Sequence, residues 1–199
     1  MILPDDNRNS QSTEPTASQT VGPFFSIGMC ARAMKNLVPA RVSHGVEVIT
    51  IRGRVLDGDG QGVPDAILEL WRADANGDFA ARGGHSDGNG VPDGFARIPT
   101  NESGEFEFQT LKPGPIASGT GEIHAPHLVV LVFMRGLLRH LLTRIYFPQE
   151  AANETDPVLT AVPAERRNTL VAVRSGADQN QLNWSVHLQG DAETVFFEA

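Results

Sequence analysis

The stretch APHLVVLVFMRG, residues 125–136, decides the fold. Seven apolar residues separate His127 from Arg135. A short run that is apolar at odd and even positions alike reads as a central strand between packed layers. It is far too short to span a bilayer. His127 and Arg135 lie eight positions apart in the chain, an even number, so an unbroken strand would point both to one face.

Strand signals extend outward from this run. VEVITIRGRV (46–55) sets Ile49, Ile51 and Val55 against Thr50, Arg52 and Arg54. AILELW (66–71), FEFQTL (106–111), LLTRIYF (141–147), LNWSVHLQG (182–190) and ETVFFEA (193–199) read the same way. Turn chemistry separates them, as in LDGDGQGVPDA (56–66). DPVLTAVPAERRNTLVAV (156–173) holds one or two short helical turns, with Pro163 at a first helical position. No long amphipathic helix, repeat or linker interrupts the pattern. The expectation is an all-β fold, an antiparallel β-sandwich of about seven or eight strands with an N-terminal arm. Residues 1–17, rich in Ser, Thr, Asp, Asn and Pro, read as a flexible segment, and 18–199 as a single domain.

Composition narrows the function. The 199 residues are 40% apolar and 20% charged, enough to build a core. Net charge is −8, which argues against nucleic acid or an anionic membrane as a partner. Cys30 is the lone cysteine, so no internal disulfide forms, and a reducing compartment fits. The N-terminus has neither a basic start nor a signal-length apolar run, and a cytoplasmic location is expected.

Local motifs are mostly turns. DGDGQG (57–62) opens like an EF-hand loop but has Leu68 where a bidentate glutamate is required. DGNGVPDG (87–94) departs sooner, and Asn76-Gly77 marks a tight turn. His124 and His127 flank Pro126, which disfavours a helical chelating pair; in one strand they would face opposite ways. No nucleophile elbow, phosphate loop or HExxH is present. Arg135 is costly to bury without a partner and suits two-point binding of a carboxylate, either a ligand's or one of the chain's own acids. SQTVGPFFSIG (18–28) carries two phenylalanines beside Gly22-Pro23 and lies either across another surface or on its own core.

The words SQTVGPFFSIG, GRVLDGDGQGVPDAILELWRADANGDF, TLKPGPI, APHLVVLVFMRG, HLLTRIYF and GDAETVFFEA, in this order, resemble the intradiol ring-cleaving dioxygenases. The likeness is to the alpha-type chains of their two-subunit members. It implies a β-sandwich, a catechol bearing a carboxylate as substrate, and O2 inserted between the two hydroxyl-bearing carbons. It implies Fe(III) held by two tyrosines and two histidines, supplied by a homologous beta subunit and not by this chain. In iron-binding relatives a tyrosine follows KPGP, where this chain has Ile116, and the His-x-His pair falls on His127 and Val129. Their other tyrosine belongs between Phe79 and Phe95, where none occurs; the chain's one tyrosine, Tyr146, lies elsewhere. No iron is therefore expected in this chain, and His127 is a vestigial metal position that now serves packing or a hydrogen bond. The resemblance makes Arg135 the residue reaching a composite active site. It places Thr20, Gly22 and Phe24 at the substrate cavity, Phe24 standing where relatives often have tyrosine. Alone, the chain is expected to be inactive. A different reading of GRVLDGDGQGVPDAILELW is a transthyretin-like binding or scaffold module without chemistry.

Overall fold

A computed structural model describes residues 16–22, 24–30, 37–38, 48–79, 94–176 and 178–198. Residues 1–15, most of the glycine-rich stretch between Phe79 and Phe95, and DGNGVPD lie outside them. In chain order the elements are α1 (Phe25–Cys30), β1 (Val48–Leu56), β2 (Ile67–Arg72), β3 (Phe95–Pro99), β4 (Glu105–Leu111), β5 (Ile116–Ala117), β6 (Ile123–His124), β7 (His127–Phe133), β8 (Leu141–Tyr146), α2 (Pro157–Ala161), β9 (Val173–Arg174), β10 (Gln181–Asn183) and β11 (Val186–His187). Two 3₁₀ turns, Ala151–Glu154 and Ala164–Thr169, flank α2.

Two sheets face each other. One has the order β3-β2-β7-β8 and is antiparallel throughout. The other is built around β1, which pairs antiparallel with β4 and parallel with β10 and β11. The expected sandwich is present, with more and shorter strands and with this parallel pairing. Alternation along β1 explains its placement: Ile49, Ile51 and Val55 are buried, while Arg52 and Arg54 face water. They meet Leu68, Leu70, Leu128, Val130 and Val132 of the opposing sheet in one apolar core. β7 lies between β2 and β8. Its Leu128, Val130 and Val132 face that core; Val129, Leu131 and Phe133 are only partly covered on the outer face. The expectation of burial on both faces holds fully only at the His127 end, where the segment carrying α2 builds a second core of Ala125, Tyr146, Leu159, Val162 and Leu170.

LNWSVHLQG is not one strand, because it breaks at Trp184 between β10 and β11. The Trp184 N–H donates to the Arg52 carbonyl at 2.9 Å, and the Arg54 N–H donates to Ser185 Oγ at 3.1 Å. This close approach requires Gly53, since a β-carbon there would stand 1.6 Å from the Trp184 carbonyl oxygen. Among the described residues ETVFFEA forms no named strand; it meets β8 through the bridge Leu142 to Phe197 and through the Thr143 hydroxyl, which donates to the Val195 carbonyl at 2.8 Å. Pro163 sits just before a 3₁₀ turn, not inside a helix; Pro157 takes the first position of α2 instead.

Gly53→Ala should cost about 3 kcal/mol, the upper range for forcing a group into a packed interior. Urea unfolding of the variant against the parent measures this. An unchanged midpoint would show that the Trp184 crossing can move aside.

Candidate functional site

β7 carries a candidate site at each end. His127 starts the strand, is 3% exposed, and pairs across the sheet with Tyr146 of β8. The two rings lie 5.5 Å apart between centroids. His127 Nδ1 is 2.7 Å from the Ala125 carbonyl oxygen. A carbonyl only accepts, so Nδ1 carries the proton. The expected hydrogen-bonding and packing role is what the geometry gives His127. His124, on β6, does not face away from it as one continuous strand would require. The turn at Ala125-Pro126 brings the rings to 6.1 Å, edge to face.

Tyr146 is not remote from this position, as the sequence suggested, but beside it. Its hydroxyl donates to Asp156 Oδ1 at 2.9 Å and receives Arg144 Nη1 at 3.2 Å. Asp156 is fully buried and also accepts the N–H groups of Ala125 at 2.8 Å, Val158 at 3.0 Å and Leu159 at 2.7 Å. Burial pushes its carboxyl upward, but those backbone donors, the Tyr146 hydroxyl and Arg144 pull it below the ordinary range. Burial raises the Tyr146 phenol well above its ordinary value, despite Arg144. Burial, with Arg144 adding to it, pushes His127 down to about 4.

These residues do not fit a ferric ion. The ferric site that the resemblance implies needs phenolates; Tyr146 holds its proton and donates it in a hydrogen bond to Asp156. Ile116 and Val129 offer no donor atom. Arg144, paired across the sheet with Val129, brings a cation to the place. Among the described residues, no group of three or more His, Cys, Asp or Glu side chains could hold a metal. The acidic turns likewise close on themselves: Asp57 Oδ1 accepts the N–H groups of Asp59 and Gln61, and Asp74 Oδ1 those of Asn76 and Asp78.

The other end of β7 is open. The strand stops at Phe133, so the shared-face argument for His127 and Arg135 does not reach Arg135. Arg135 lies in the β7–β8 turn with its side chain 53% exposed, and Nη2 is 3.4 Å from Asp65 Oδ2. The following Gly136 has φ 94 and donates its N–H to Thr20 Oγ1 at 2.7 Å. The arm therefore meets the Arg135 turn. Gly22 is exposed, its carbonyl accepting the Phe25 N–H at 3.2 Å, and Phe24 is 78% exposed. The arm does not bury Phe24 in its own core. Next to this junction runs a groove of about 730 Å³, lined by Gln19 and Val21 of the arm, Leu137 and Leu138 of the turn, and Phe196 and Phe197 of the tail. Thr20 and Arg135 thus come together; His127 is at the far end of the strand.

Sequence reading missed three members of this picture. Asp65 is one. The others are Asp156 and Arg144, for which signals existed: Asp156 precedes Pro157 at a helix start, and Arg144 shares strand parity with Tyr146.

The sandwich and the ordered words of the sequence define a ring-cleavage dioxygenase scaffold rather than a scaffold module of the transthyretin kind. The chain belongs to the Dioxygenase family, whose pattern matches residues 21–190. It is 43% identical over 196 residues to the protocatechuate 3,4-dioxygenase alpha chain of Burkholderia cepacia, covering 92% of this chain and 96% of that one. To the alpha chain of Pseudomonas putida it is 37% identical, with the same coverage. Its likeness to the Burkholderia cepacia beta chain is lower, 29% over 63% of this chain and 55% of the other. The fold is shared with 3-chlorocatechol 1,2-dioxygenase from Rhodococcus opacus 1CP, at TM-score 0.59 and 20% identity, over 88% of this chain and 68% of that one. No helix among the described residues is long and apolar enough to cross a membrane.

His127 makes stability depend on pH. Its folded value, about 4, lies below the ordinary 6.5. The unfolded chain therefore takes up this proton first, so the contribution is complete above pH 6.5 and fades as pH falls toward 4. The shift corresponds to on the order of 3 kcal/mol. Thermal midpoints from pH 7.5 down to 4.5 should fall, and should fall less in His127→Asn, whose amide can still donate to Ala125. Equal slopes in the two proteins would remove His127 as the cause.

Proposed function

We propose that this chain is the alpha subunit of a protocatechuate 3,4-dioxygenase, without iron of its own. It assembles with a homologous beta subunit that holds Fe(III). The complex cleaves protocatechuate with O2 between its hydroxyl-bearing carbons, giving 3-carboxy-cis,cis-muconate, in aromatic catabolism through the beta-ketoadipate pathway. One observation carries the reading: at the metal position a protonated phenol, a buried carboxylate and a guanidinium satisfy one another. Whole-length likeness to alpha chains, against partial likeness to a beta chain, supports it.

The chain's contribution then lies at the open end of β7. Arg135 supplies the cation that a carboxylate-bearing substrate needs near an acidic protein, and Thr20, Gly22 and Phe24 form a wall of the cavity beside the partner's iron. Phe24 suits this role because it is 78% exposed in the chain alone. The domain runs from 18 to 199, with 18–28 as the pocket arm. A cytoplasmic location agrees with the lone cysteine and the acidic composition.

Purification of the chain alone and co-expressed with its beta partner tests this. Burgundy iron–tyrosinate colour and stoichiometric iron should appear only in the complex. Colour in the chain alone would overturn the assignment. In the assembled enzyme, Arg135→Ala should lower kcat/KM for protocatechuate about tenfold to a hundredfold, as loss of a hydrogen bond to a charged group does, with iron content unchanged. Unaltered kinetics would take Arg135 out of the pocket, and lost iron would make it a subunit contact.

A further inference from the structure

The geometry points to Asp65 as the positioning residue for Arg135, holding the guanidinium in the orientation that receives the substrate carboxylate. The inference rests on the proposed role of Arg135 in a composite site.

Asp65 is an acid on a fixed mount. It has φ 59, one of two non-glycine residues at positive φ among the described residues. Aspartate tolerates that region better than most residues, yet a backbone there persists only where its surroundings enforce it. The enforcement is visible. The buried hydroxyl of Thr100 donates to the Val63 carbonyl at 2.9 Å and accepts the Ala66 N–H at 3.0 Å, bracketing Asp65 from both sides. The Thr100 N–H also donates to the Ala66 carbonyl at 2.9 Å. The turn is thereby pinned to the end of β3, and the Asp65 carboxylate projects from a rigid edge.

Arg135 is the opposite case, a long side chain on a turn. Its backbone is steadied by the Thr20 hydroxyl through Gly136, but among the described residues its fork is held only by the Asp65 contact. That contact engages Nη2 and leaves the other N–H groups of the guanidinium for an incoming carboxylate. A half-exposed pair at 3.4 Å contributes little to stability, so its value is orientation rather than holding the fold together. Arg97 of β3 is already committed to Glu69, the Met29 carbonyl and the Phe95 ring. The Asp65 charge also reaches the end of α1: burial raises the Cys30 thiol, Arg97 lowers it, and Asp65 raises it again.

The test uses the assembled enzyme with Asp65→Asn, Arg135→Ala and the double variant. Asparagine keeps the left-handed backbone and removes only the charge. Asp65→Asn should raise KM for protocatechuate about three- to tenfold with kcat within about twofold, the effect of loosening one exposed hydrogen-bonded pair. It should leave catechol, which lacks the carboxylate, unchanged. In the Arg135→Ala background Asp65→Asn should add nothing. An unchanged KM, or the same loss with Arg135 absent, overturns the positioning role while leaving Arg135 in place. If Arg135→Ala itself leaves protocatechuate kinetics intact, the composite-site reading falls and this inference falls with it.

Discussion

The buried carboxylate of Asp156 is the interaction on which the outer layer of the sandwich depends. It caps α2 through Val158 and Leu159, ties the β6–β7 junction through Ala125, and takes the Tyr146 hydroxyl from β8. Four donors from three separate segments converge on two oxygens, so the acceptor sites of an ionised carboxylate are used. A buried charge is tolerable only with such partners and a counter-charge nearby. Arg144 supplies the counter-charge, its Nη1 reaching both the Tyr146 hydroxyl and, at 3.5 Å, His124 Nδ1. A hydrogen-bond network thus joins these three segments.

The fold was largely legible because burial imposes periods on the chain. β1 and β4 alternate cleanly, and their inward residues are those the alternation marks. Where the period fails, the cause lies in another segment. The break at Trp184 is dictated by Gly53, about 130 positions earlier, and no local pattern announces it. The parallel pairing of β10 and β11 with β1 is equally invisible, since strand direction relative to a distant neighbour leaves no trace in composition. Parity failed at Arg135 for a related reason: a strand ends where its pairing ends, and β8 gives no partner beyond Leu141.

The candidate site was half legible. Absence can be counted, and one tyrosine in 199 residues already forbids a two-phenolate site. Presence is harder. Tyr146 and His127 meet because β7 and β8 pair in one register, and Asp156 meets them because a helix folds back over the sheet. Asp65 and Arg135 are 70 positions apart and touch only because two turns at one end of the sandwich coincide. Sequence separation hides such pairs even when each residue is noticed singly.

The two ends of β7 have opposite electrostatic designs, and the contrast explains why only one of them can act on a ligand. At the His127 end the carboxylate is buried and Arg144 half-buried beside it, both held by hydrogen bonds; an incoming anion would first have to undo Asp156 and its donors. At the Arg135 end the charges are half in water, held by one long contact and one backbone hydrogen bond, and cheap to rearrange. Exposed apolar residues accompany that open end: Phe24 and Ile27 on the arm and α1, and Leu138 on the turn, each more than 60% exposed. Single exposed hydrophobics are ordinary, but three on segments that carry Thr20 and Arg135 are what a surface waiting for a neighbour presents. Covering them would also dry the Asp65–Arg135 pair, and a guanidinium stripped of water binds a carboxylate more strongly than one bathed in it. On the proposed role of Arg135, assembly and recognition are one event, because the contact that completes the pocket also strengthens the charge that reads the substrate.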